Sequence, residues 1–225
     1  MIHYNYSAKQ LEEKANQLLY EFDPERLEKP KPIDVYAVIE KCLDVPYDWK
    51  YITPDQSILG LTVFKPGYLW VLPKPYYEEG MRPDKAFFVA GTIVIDSYLT
   101  ELAQRGPENF TVMHEAFHQI LHKRCFAHSK GDYAHATTKS ALTLTNGSAM
   151  RSSLEINESQ ANFCAACFLM PREPVREVFI KLHGSGQALG VNDPRLSVII
   201  QTMAAEFSVS KTAMKIRLQS LGLVK

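Results

Sequence analysis

No apolar run in this sequence is long enough to span a bilayer, which takes about 20 residues; the longest, around Phe87 to Ile95, falls far short. The opening residues, MIHYNYSAKQLEEK, lack the basic start and apolar stretch of a secretory leader. A cytoplasmic protein without a membrane partner is therefore expected. Charge of one sign is lacking as well: 25 Lys and Arg balance 25 Asp and Glu, so no long-range field gathers phosphate polymers. Nucleic acid is not expected as the principal partner. Cysteine is scarce, and Cys42, Cys125, Cys164 and Cys167 are too few and scattered for a disulfide framework. Cys164 and Cys167 form a CxxC, but a zinc site of that type needs a second ligand pair, and none lies at suitable spacing. The two thiols read as small residues on a buried helix face.

What is present suits one sizeable core: 225 residues, 46% of them hydrophobic and 22% charged. Ser7 and Gln10 make a capping box, followed by Ala8, Leu11, Ala15, Leu18 and Leu19 at helical spacing until Asp23-Pro24. Asp34 caps a short second helix that turns Val35, Val38, Ile39 and Cys42 inward. The period then changes. Ile58 to Phe64 and Tyr68 to Leu72, rich in β-branched and aromatic residues and separated by Lys65-Pro66-Gly67, read as a β-hairpin. Phe87 to Asp96 reads as a third strand, buried on both faces.

Gly106-Pro107-Glu108 opens a helix running to about Lys123, with Phe110, Met113, Phe117, Ile120 and Leu121 as its apolar positions. Lys130 to Ser153 is small and polar without a clear period and reads as a long loop. Further helices are expected from Leu154 to near Pro171, from Pro174 to His183, from Asp193-Pro194 to Phe207, and from Ser210 to Gly222, the last two forming a helix-turn-helix-like pair. The expected class is α+β, a short antiparallel or mixed sheet packed on helices. One domain covers 1–225, with N-terminal helices in 1–45, the sheet in 46–96, the histidine-bearing helices in 97–183 and the C-terminal pair in 192–225.

The most informative stretch is HEAFH, His114 to His118. Four residues of α-helix turn through about 400°, so both histidines leave the same face one turn apart and can reach one metal ion. Glu115 lies beside them as a general base for a metal-activated water. A hydrolytic site needs a third protein ligand, and Glu158 on the next long helix is the natural candidate. Asn162, one turn on, can hydrogen-bond an imidazole on the nitrogen away from the metal. His122 follows His118 by four, but the drift of the helix carries it off the metal-facing line, so it is expected as a neighbour only. His128, Tyr133 and His135 lie in or beside the long loop, where an oxyanion donor could originate, and each reads more readily as a bystander.

Three segments together resemble the ImmA/IrrE family of metallo-endopeptidases: FTVMHEAFH (110–118), ESQANFCAACFLMP (158–171) and FSVSKTAMKIRLQSLG (207–222). The resemblance implies a small zincin-like domain with His114, His118 and Glu158 as metal ligands, Glu115 as base, and Asn162 and Leu169-Met170-Pro171 as matching positions. Zn²⁺ is the implied cofactor, with Mn²⁺ compatible with the same ligands. Some members of that family cleave transcriptional repressors of mobile elements or of DNA-damage responses, so a helix-turn-helix repressor is the implied protein substrate. Phe117 departs from the family's usual Gly before the second histidine, a bulk expected to narrow the groove. Cys164 and Cys167 replace small or aliphatic residues. Two rival readings remain: a DNA-binding regulator presenting Lys211, Lys215 and Arg217 to phosphates, and a module that docks a repressor without cutting it.

Overall fold

The computed structural model describes residues 4–74, 78, 80–127, 134–139 and 152–225. The capping box forms as the sequence predicts. The Ser7 hydroxyl accepts from the Gln10 backbone N–H, and Gln10 Oε1 accepts from the Ser7 N–H. Helix α1 (Ala8–Phe22) follows, burying Leu11, Ala15, Leu18 and Leu19. Asp34 Oδ1 accepts from the backbone N–H groups of Tyr36 and Ala37 and starts α2 (Val35–Val38), which continues as a π-type turn over Ile39–Leu43. Val35, Val38 and Ile39 are buried, whereas Cys42 is only half-buried.

Five strands follow: β1 (Tyr47–Lys50), β2 (Ile58–Val63), β3 (Gly67–Val71), β4 (Asp84–Phe88) and β5 (Ile93–Asp96). They do not form the expected hairpin. β2 lies inside a mixed four-stranded sheet of order β1-β5-β2-β6, where β6 is Ala134–Thr138. β5 and β6 both run antiparallel to β2 and occupy its two edges, so β3 has no edge of β2 to pair with. It pairs instead with β4 in a two-stranded ribbon. The single strand expected over 87–96 is also divided: Gly91, at φ 96°, turns the chain between β4 in the ribbon and β5 in the sheet. β5 is buried throughout, as its apolar composition predicts.

The sheet is not confined to 46–96. β6 comes from the stretch read as loop, and its inward residues are His135 and Thr137. Most of the remainder of 130–153, together with His128 and Tyr133, lies outside the described residues.

After the short α3 (Tyr98–Glu101) comes α4 (Gly106–Ala127), which lies against β2 and β5 on one side and against α5 (Ser153–Leu169) on the other. From Thr111 to His122 every residue except Ile120 is buried. A helix covered on two sides must satisfy each polar side chain internally, and α4 carries His114, Glu115, His118 and His122 in that interval. α5 begins with a second capping box, Ser152 with Glu155, and packs on α1 as well as α4. Cys164 and Cys167 lie in its buried face as unpaired thiols.

Helices α6 (Arg172–His183), α7 (Leu196–Glu206) and α8 (Lys211–Ser220) complete the fold. The C-terminal pair is part of the main core through Met203, Phe207, Met214 and Leu218. Arg217, expected on a phosphate-facing surface, is instead buried at the end of α5. Its Nε donates to the Met170 carbonyl, Nη1 to Cys167 Sγ, and Nη2 to Glu12 Oε1. It serves one orphan carbonyl of a helix terminus, that of Met170. Phe117 likewise points into the core, edge-on to Phe168, and does not narrow a groove. Among the described residues no helix is long and apolar enough to cross a membrane.

Candidate metal centre

One turn apart on α4, His114 and His118 bring their Nε2 atoms within 2.9 Å of each other. α5 supplies Glu158, whose Oε2 lies 3.4 Å from His114 Nε2 and whose Oε1 lies 3.2 Å from His118 Nε2. All three residues are buried, and their donor atoms lie within 4.8 Å of one another. His114 Nδ1 donates to Asn162 Oδ1 at 2.8 Å, which leaves its Nε2 lone pair facing the cluster. Glu158 Oε2 accepts no hydrogen bond from the described residues. Converging lone pairs and an orphaned buried carboxylate oxygen are what a divalent cation satisfies, so this set could hold one metal ion.

The electrostatics favour the ligand forms of Glu158 and His118, and the protonated form of His114 while the carboxylate is its only charged neighbour in the cluster. Burial works against ionisation of Glu158, but the imidazoles of His114, His118 and His135 gathered around it outweigh that and hold the carboxyl far below its usual range. His118 is pushed well down by burial and by neighbouring His114. For His114 burial again opposes the charged form, but the Glu158 carboxylate prevails and raises its pKa. An ionised carboxylate and an imidazole that resists protonation are the states that ligate metal.

Glu115 projects toward the sheet. Its Oε2 accepts from the Thr62 hydroxyl on β2 at 2.7 Å, while Oε1 has no hydrogen-bond partner among the described residues. Burial raises its pKa against the opposing pull of His114 and the Thr62 hydrogen bond. Space for it comes from Gly60: a Cβ there would lie 2.9 Å from Glu115 Oε1 and 2.8 Å from Thr111 Cγ2. Gly60→Ala is therefore expected to displace the carboxylate or Thr111, an overpacking cost of about 1–3 kcal/mol that urea denaturation reads as a lowered midpoint.

The family model for the IrrE N-terminal-like domain, Peptidase_M78, matches residues 69–219. The chain belongs to this family. No curated protein matches it. The Peptidase_M78 match takes in α4, β6 and α5, and so every member of the His-His-Glu cluster, but Gly60 and Thr62 lie before it.

Within the Peptidase_M78 span the structure adds three groups to the site. His135 on β6 contacts Glu158 Oε1 through Nε2, so it braces the carboxylate instead of standing free for an oxyanion. Thr137 Oγ1 lies 3.1 Å from His114 Nε2. His122, expected only as a neighbour, is wholly buried with Nδ1 2.9 Å from His118 Nδ1 and Nε2 3.0 Å from Gln160 Oε1. Burial pushes its pKa down to about 4, against the Gln160 hydrogen bond. Gly60 carried the clearest overlooked signal: a glycine inside a strand marks a bulge or a close approach, and the β2–β6 register does shift between Ile58 and Gly60.

Proposed function

We propose that this chain is a metal-dependent endopeptidase in which His114, His118 and Glu158 hold Zn²⁺ and Glu115 is the general base. The observation that carries the reading is Glu115, a buried carboxylate with one unpartnered oxygen beside a buried His-His-Glu cluster. A site that binds an ion only for structure has no use for such a group. When bound, Zn²⁺ or Mn²⁺ supplies a Lewis acid that polarises a water and the scissile carbonyl. Thr62 fixes Glu115 through Oε2 and leaves Oε1 to take the water proton. The water oxygen bonds to the carbonyl carbon, Glu115 passes the proton to the amine nitrogen, and the C–N bond breaks. Burial raises the Glu115 pKa and makes it a stronger base than an exposed carboxylate. His135 and Asn162 keep Glu158 and His114 oriented.

The substrate reading is a protein, specifically a helix-turn-helix transcriptional repressor of a mobile element or stress response, acted on in the cytoplasm. Its support is membership of the IrrE-like family together with the three matching segments. Direct DNA binding is disfavoured by the burial of Arg217 and the balanced charge, and docking without cleavage leaves Glu115 unexplained. Incubation of the zinc-loaded protein with the repressor encoded nearest its own gene should give cleavage at a defined bond that a chelator stops. Cleavage of unfolded proteins but not of the repressor would overturn the substrate assignment; cleavage of neither would overturn the peptidase.

A further inference from the structure

The hydrogen bonds around His118 run outward, through two side chains, to the start of the described chain. The Tyr4 backbone carbonyl can only accept, and Gln160 Nε2 donates to it at 2.6 Å. That fixes the orientation of the Gln160 amide, with Oε1 turned toward His122. Oε1 can only accept as well, so His122 Nε2, 3.0 Å away, carries the proton. A neutral imidazole protonated on Nε2 has a bare Nδ1. His118 Nδ1, 2.9 Å from that atom, must therefore donate to it. His118 is left with its lone pair on Nε2, the nitrogen that faces His114 and Glu158.

We propose that His122 and Gln160 are positioning residues which, anchored on the Tyr4 carbonyl, select the metal-ligating tautomer of His118 and fix its ring. The proposal rests on the metal-centre reading above and deepens it. His114 reaches the same state in one step, because Asn162 Oδ1 accepts from its Nδ1. For His118 the acceptor is itself an imidazole with two possible tautomers, and only the chain to Tyr4 decides between them. Tyr4 and Gln160 thereby tie the N-terminal segment, packed on α5, to the ion-binding face of α4. Without the relay His118 can place its proton on Nε2 and present a donor where a ligand is needed.

The test measures zinc affinity of the full chain by competition with a chromophoric chelator, and the histidine tautomers of the zinc-loaded protein by long-range ¹H–¹⁵N spectra. His122→Leu is expected to weaken zinc binding about 10- to 100-fold, the usual cost of losing a group that orients a ligand. His122→Asn, whose Oδ1 can replace the Nδ1 acceptor, should recover most of that loss. Gln160→Leu, two hydrogen bonds from His118, should weaken binding about tenfold. In the wild type the spectra should show His122 protonated on Nε2 and His118 on Nδ1. If the wild type binds zinc but His122→Leu binds it equally well, if Asn rescues nothing, or if His122 carries its proton on Nδ1, the relay is wrong and the metal centre stands. A wild type that binds no zinc overturns the metal-centre reading and the relay with it. Should His122→Leu fail to fold, Gln160→Leu and the wild-type spectra decide.

Discussion

Replacing Glu115 with Gln should abolish hydrolysis and leave the bound metal in place. The amide keeps an oxygen that can accept from Thr62 at the position where Oε2 now lies, so geometry is preserved. What is lost is the ability to take a proton, and a positioned general base contributes about 10²- to 10⁴-fold to a rate. Burial already disfavours the charged carboxylate, so the neutral amide should cost no folding stability. This separates the substitution from a simple unfolding variant: thermal midpoint and metal content equal to or above wild type, with turnover gone. Hydrolysis persisting in Glu115→Gln would remove Glu115 from the mechanism.

The second large effect lies outside the metal centre, at the junction of α1, α5 and α8. Arg217→Ala should destabilise the fold by about 1–3 kcal/mol, the usual cost of leaving a buried acceptor without its donor, here the Met170 carbonyl. The guanidinium donates to the Met170 carbonyl and pairs with Glu12, which Arg172 also contacts from the rim. Burial of Glu12 opposes its ionisation, but the hydrogen bonds from Arg172 and Arg217 prevail and lower its pKa. A carboxyl lowered in the folded state adds stability that is complete above its unfolded value of about 4.3 and lost as pH falls through the lower folded value. Wild type should therefore lose more stability on acidification through that range than Arg217→Ala does. Lys215, exposed on the same helix, should change stability by less than about 0.5 kcal/mol when truncated. Urea denaturation at neutral and acid pH reads all three. An unchanged midpoint for Arg217→Ala, together with weakened duplex DNA binding, would restore the rival role for α8.

The helices were legible because their signals are local. The capping box at Ser7 and the four-residue spacing of His114 and His118 depend on neighbours within one turn. Glu158 and Asn162 were legible because α5 is the next long helix and both residues share its inward face. β6 was not, and the reason is physical. Its alternation is real, but the inward positions are His135 and Thr137, polar because they line the site, so hydrophobic periodicity fails where function replaces core packing. The β2–β3 hairpin failed for another reason: a turn sequence such as Lys65-Pro66-Gly67 reports a change of direction, not which edges of β2 are already taken. Thr62 and Gly60 meet Glu115 only through the packing of β2 on α4, a contact between distant segments that no local pattern encodes. Arg217 looked like surface because cations usually are; the Met170 carbonyl at the end of α5 and the Glu12 carboxylate hold it inside.

Whether His114, His118 and Glu158 hold one metal ion is read most directly by metal analysis of the purified protein by mass spectrometry. Wild type should carry about one zinc per chain, and His114→Ala and Glu158→Ala should each lose it, since a site of three protein ligands does not retain its ion on two. Wild type without metal after supplementation, or full zinc occupancy in Glu158→Ala, would contradict the account.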